Sequence, residues 1–211
     1  MVTRELPDGP NNVAVVEQKE TLPLAFQVEA GAYINAIRSS LDILAVTLAN
    51  RHCRALVDAA YFPVAKSAAF FAAGQYKGAK FVRALPEKER AVIEFLRPYK
   101  GGNNLLYPLH NLDIVRKHQR LLGVEVQPQM FIVSGWGDTV NAFTPVARGW
   151  IRSGQDEIVI GFVAKNAAEK SCIRLTTQVS LGEPAYLPYR EVITTLYDFA
   201  RMAKAIIQEF E

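Results

Sequence analysis

The stretch GAYINAIRSSLDILAVTLANRH, residues 31–52, decides the reading of the fold. Ile34, Ile37, Leu41, Leu44 and Leu48 recur at steps of three and four, which places them on one face of an α-helix. The spacing predicts a helix over 30–52. Beside that apolar stripe runs a polar one, Asn35, Arg38 and Asp42, again at steps of three and four. Asp42 has Ala45 and Val46 one turn on, so a second helix can approach closely. A carboxylate half buried in this way needs a partner.

Working outward, residues 1–29 read as an extended segment with short apolar runs at 13–16 and 22–28. After the long helix, a second helical stretch is expected near 64–73, ended by Gly74. Pro86 followed by Glu87 and Glu89 favours a helix start, and that helix must stop before Pro98. Pro108 opens another helix, which Gly123 is expected to end as a left-handed cap. Beyond Gly123 the pattern changes to β-rich runs separated by turn residues, which suggests an antiparallel meander of about four strands. A C-terminal helix follows, with Val192, Leu196, Phe199, Ala203, Ile206 and Phe210 as its apolar stripe. The expected fold class is therefore α+β: a helical bundle at 30–123, a roughly four-stranded antiparallel sheet at 124–185 and a long helix at 186–211. The parts are expected to pack into one integrated domain.

Composition narrows the class of protein. The 211 residues are 50% hydrophobic and 21% charged, a balance that excludes disorder and fibrous repeats. The two cysteines, Cys53 and Cys172, lie far apart and match no metal-ligand spacing. The N-terminal residues MVTRELPDGPNN lack the basic end and apolar run of a signal peptide, and no apolar run reaches the ~18 residues of a membrane span. A cytoplasmic protein is expected. The net charge of +3 is unevenly spread: residues 30–123 hold fourteen Lys and Arg against six Asp and Glu, and every other segment is net negative. Lys77, Lys80 and Arg83 are the candidates there for contact with phosphate or nucleic acid.

On the helix after Pro108, His118 has Ile114, Val115, Leu121 and Leu122 at its i±3 and i±4 positions, so its imidazole is expected to face the core. Asp113 and Lys117, at i and i+4, fall on the more polar side as an exposed pair. A core-facing His118 and a border Asp42 suggest two helices joined by a carboxylate–imidazole contact. The other motifs of chemistry are missing: there is no HExxH, no Walker loop, no G-x-S-x-G and no G-x-G-x-x-G. No metal or cofactor is expected. The loop at 134–138, SGWGD, reads as a hairpin turn, and Trp136 and Trp150 as core aromatics of the meander.

Two segments carry a resemblance. Gly31, Asn35, Arg38, Ser39, Leu41 and Asp42 resemble the "G-x-x-x-x-N-x-R-S-x-L-D" helix of a broad family of uncharacterised bacterial proteins. Pro98-Tyr99, Leu109, Leu112, Asp113, Lys117 and His118 follow in the order of that family's second motif. Arg97, Arg116 and Gln119 depart from it. The family is similar to the HEPN-like group (higher eukaryotes and prokaryotes nucleotide-binding), whose members often act as RNases or in prokaryotic defence. The RNases of that group carry an Arg a few residues before a His; no Arg stands at that spacing before His52, His110 or His118. The resemblance thus implies a bacterial HEPN-like protein that binds nucleotide or RNA through its basic helical half. One alternative is a phosphate-substrate hydrolase or nuclease, with His118 as acid or base, Asp42 beside it, and Arg38 and Lys117 holding the phosphate. The other is a structural homodimer without a ligand.

Overall fold

The structure is a computed structural model and describes residues 2–5, 11–17, 22–134, 142–145, 151–152, 157–164, 172–183, 185–187 and 190–211. The chain forms two compact units, one made of residues 1–23 and 125–180, the other of residues 24–124 and 181–211.

The second unit is helical. Its long helix α1 runs Leu24–His52, starting six residues before the apolar period suggests, and is followed by a 3-10 turn at Arg54–Ala59. Short helices α2 (Ala68–Ala72), α3 (Ala79–Ala84) and α4 (Glu87–Phe95) lead to α5 (Leu106–His118). The chain returns to close with α6 (Val192–Gln208). Helix α1 packs against both α5 and α6, and those two touch each other. Ile34, Leu41 and Leu48 from α1, Leu106, Leu109 and Leu112 from α5, and Phe199 and Ile206 from α6 are buried at the centre. The stripes at steps of three and four do the work expected of them, since each buried aliphatic or aromatic side chain contributes about 1.5–3 kcal/mol on leaving water. At the start of α5, the Asn103 side-chain oxygen accepts the free N–H groups of Leu105 and Leu106. No helix among the described residues is long and apolar enough to cross a membrane.

The other unit holds the strands β1 (Val2–Glu5), β2 (Asn11–Glu17), β3 (Val124–Ser134), β4 (Ala142–Pro145), β5 (Ile151–Arg152), β6 (Glu157–Ala164) and β7 (Cys172–Leu181), the first residue of β3 and the last of β7 crossing its boundary. They overturn the expected α+β fold class with one roughly four-stranded meander. The described chain is mostly helical, and its strands split into two sheets, β1-β2-β6-β5 and β4-β3-β7. The physical reason is pairing across sequence. Residues 11–17 form an antiparallel ladder with β6, Val13 in register with Phe162 and Val16 with Ile158, a pairing that hairpin signals alone do not reveal. Helix α1 also takes up residues 24–29, which were expected to be extended. Residues 135–141 and 146–150, with the hairpin loop and both tryptophans, lie outside the described residues.

Gly123 is a further correction. It has no positive φ and caps no helix; α5 stops at His118. A side chain at Gly123 would press on the Gly182 carbonyl at 3.1 Å, so glycine is there to let two backbone segments meet.

Candidate functional site

Arg38 is the organising residue. It lies one turn before Asp42 on α1, and its guanidinium is fully buried. Nη1 donates to Asp42 Oδ1 at 2.8 Å, Nη2 to the Phe62 carbonyl at 2.9 Å and Nε to His110 Nδ1 at 3.3 Å. Asp42 Oδ1 also accepts the Phe62 N–H at 3.0 Å. Both backbone groups of Phe62 are thus held by one ion pair of α1, and the Phe62 ring drops into the core. That clamp fixes the segment after the 3-10 turn and sets Tyr61 half buried beside it.

Around Tyr61 the cations gather. The Arg38 guanidinium lies 4.7 Å from the ring centroid and the Lys77 ammonium 3.9 Å from it. Lys77 can come so close because Gly78 follows it: Gly78 has φ +88°, and a Cβ there would collide with the Tyr61 carbonyl oxygen. His110, on α5, meets the Tyr61 ring edge-on with centroids 6.3 Å apart. Further along α5, Lys117 pairs with Asp113 at 2.6 Å and Arg116 stands 3.7 Å from the same carboxylate. Arg116 also explains Gly31, since a side chain at that point of α1 would meet the Arg116 stem at 2.7 Å.

The electrostatics follow from this crowding. Burial, then Arg38, Lys117 and Lys77, lower the His110 pKa to about 4, so the ring is neutral near pH 7. Its Nδ1 accepts from Arg38, which leaves the ring proton on Nε2 and makes that atom a donor. Burial raises the Tyr61 pKa, with Asp42 and Asp113 adding to the rise while Arg38 and Lys117 oppose it. The phenol therefore also stays neutral. What this face offers chemically is a set of donors and positive charge suited to an anion. Arg38 itself takes no direct part, because its donors are spent and it is sealed from solvent.

The residues expected from the sequence fall out unevenly. Arg38 and Asp42 are together, and Lys117 joins the same electrostatic neighbourhood of Tyr61. His118 does not face the core: it is exposed as the last residue of α5 and forms no hydrogen bond with Asp42, whose partners are Arg38 and Phe62. The reason is the helix end, because Leu121 and Leu122 lie beyond it and cannot continue the stripe that was to bury His118. Asp113, expected on the surface, is 2% exposed. Of the basic trio, Lys77 sits on Tyr61, Arg83 donates to the Ala73 carbonyl at 3.4 Å, and Lys80 is exposed on α3. Neither Tyr61 nor His110 is marked out as a site residue by the sequence pattern. The available signal was Tyr61-Phe62-Pro63, a short apolar run ending in proline, which suits an extended segment pinned to a core.

Among the described residues no group of three or more His, Cys, Asp and Glu could hold a metal ion. Compared with known proteins, the chain matches no family model, no curated protein and no solved structure.

Proposed function

We propose that the helical unit binds the phosphate of a nucleotide or of RNA on the face where Tyr61, Lys77, His110 and Lys117 meet, and that it holds the ligand without cleaving it. The supporting observation is the gathering of Arg38 and Lys77 on the Tyr61 ring, with His110 at the edge of that ring and its Nε2 a donor. Binding is favoured over hydrolysis by the same geometry. A general base needs a free lone pair, and the one on His110 is engaged by Arg38. The hydrolase set of Arg38, Asp42, Lys117 and His118 has a sealed member in Arg38 and exposes His118 at a helix end. This reading accords with a HEPN-like, cytoplasmic, RNA-associated role and requires no cofactor.

The test titrates the full chain with ATP and with a labelled RNA of about ten nucleotides at about 50 and about 200 mM salt. Replacing Lys77 and Lys117 together with Gln should weaken binding and lower the slope of log affinity against log salt by about 1.4, the share of two phosphate contacts on a single strand. Replacing Lys80 and Arg83 together should do less. Absence of binding to either probe at the lower salt would sink the proposal.

A further inference from the structure

Away from Tyr61, two hollows of the helical unit, of about 360 and about 860 Å3, share Asn104 and Arg190 and so join into one trough. Lys100 stands in the first hollow, Arg201 and Lys204 in the second, and Arg190 at the junction. Arg190 is paired with Asp198 at 2.9 Å. Among the described residues Lys100, Arg201 and Lys204 have no acidic partner within salt-bridge distance. Segment arithmetic hides this charge, because residues 186–211 hold three basic against four acidic side chains. Two of those acids are already engaged: Asp198 pairs with Arg190, and Glu191 accepts the N–H groups of Ile193 and Thr194 at the start of α6.

The trough is also aromatic. Tyr107 and Tyr186 line the first hollow and Tyr197 the second. Tyr197 is 64% exposed, so its ring face is open to a ligand, and the Arg201 guanidinium lies 5.8 Å from its centroid. Unpaired cations and phenol rings lining the same groove suit a chain with a charge on every repeat and a flat apolar group beside each charge.

We propose that this trough binds single-stranded nucleic acid, with backbone phosphates on Lys100, Arg201 and Lys204 and unstacked bases against the tyrosines, Tyr197 first. A duplex keeps its bases stacked inside and offers no face to such rings, so the trough selects single strands. The inference uses none of the residues at the Tyr61 face and does not rest on the reading given for it.

The experiment measures anisotropy of the full chain with labelled oligo(U) and oligo(dT) of about twelve nucleotides and with a duplex of the same length, at about 50 mM and about 200 mM salt. The single strands should bind tighter than the duplex. Arg201→Gln with Lys204→Gln should weaken single-strand binding about tenfold at the lower salt and flatten the salt slope. Tyr197→Leu should weaken it by a comparable factor while leaving the slope unchanged, because stacking releases no counterions. All three positions are exposed, so an unchanged circular dichroism melt verifies that the fold is intact. Wild-type affinity in both trough variants, with binding lost on changing Lys77 and Lys117, would overturn this proposal and leave the Tyr61 reading standing. Loss only in the trough variants would do the reverse. Equal affinity for duplex and single strand would also overturn it.

Discussion

Arg38 and Asp42 illustrate how a surface-like pattern becomes a structural clamp. Read along the helix, an i,i+4 pair on a wet face is worth a few tenths of a kcal/mol. With the guanidinium fully buried and Phe62 held from both sides, the contribution is larger. We expect Asp42→Ala to cost about 2–4 kcal/mol in urea unfolding followed by circular dichroism, because it strands a buried cation and an amide. Asp113→Ala should cost about 1–3 kcal/mol, less because Lys117 and Arg116 are 35% and 26% exposed and can return to water. Glu94→Gln, which breaks an exposed pair at 3.9 Å, is the control and should change stability by under about 0.5 kcal/mol. His110 provides a pH signature. Its pKa of about 4 in the folded protein lies below its ordinary 6.5, so the unfolded chain takes up the proton first as pH falls. The fold keeps this contribution above about pH 6.5 and loses it toward pH 4, up to about 3 kcal/mol. His110→Gln retains an acceptor for Arg38 without titrating, so its stability should fall less between pH 7 and pH 4.5 than that of the wild type. An identical fall in both proteins would show that another group governs the loss. At this scale the sequence reveals which polar residues sit on a core-facing stripe, as with Arg38 and Asp42. It does not reveal Phe62 or His110 as their partners, because those contacts span 24 and 72 residues of chain.

Among the elements, helices with an uninterrupted stripe were the legible ones. Helix α6 buries Val192, Phe199, Ala203 and Ile206 as its spacing implies; Leu196 is half-buried, and Phe210 is buried just past the helix end. Helix α5 departs from the expectation at both ends, starting at Leu106 rather than Pro108 and stopping at His118 short of Gly123, and it buries Asp113. The strands were legible as runs and illegible as sheets, since residues 11–17 find their partner in 157–164 and nothing local announces it. The join after α5 contains a contact with no sequence signature. Glu183, 2% exposed, accepts from Arg120 at 2.6 and 2.8 Å and from the Gly123 N–H at 3.0 Å. The two partners are not equivalent. Arg120 is more than half exposed and returns to water if Glu183 is removed, whereas Glu183 without Arg120 is a buried carboxylate with a single amide left. Arg120→Ala should therefore destabilise by about 2–4 kcal/mol and Glu183→Gln by about half that. Denaturant melts of the two variants decide the ranking, and a larger loss for Glu183→Gln than for Arg120→Ala would overturn it.

For the whole molecule the division into two units governs both charge and folding. Residues 24–124 with 181–211 hold seventeen Lys and Arg against twelve Asp and Glu, +5, while the remainder holds seven against nine, −2. An anionic ligand is therefore drawn to the helical unit, and electrostatic steering will be strongest at low salt. That unit is also closed on itself. The chain leaves it after Val124 and re-enters at Leu181, and at this crossing the Gly182 N–H donates to the Gly123 carbonyl at 2.8 Å. Two chain ends that are already hydrogen-bonded to each other need little entropy to be joined, and a segment inserted at adjacent ends can be removed without opening the core. Val124 and Leu181 are themselves buried, so the cut must lie outside them. We expect a chain lacking residues 1–22, with 126–179 replaced by a Gly-Ser linker of about four residues, to fold with the helical circular dichroism of α1 to α6. It should also lose the same stability on Asp42→Ala as the full chain does, because the Arg38 clamp lies wholly inside the unit. A shortened chain that is helical yet indifferent to Asp42→Ala would have collapsed without the clamp. A chain that fails to fold would show that the helical core depends on the strand-bearing residues, and that contact density had divided one cooperative domain into two.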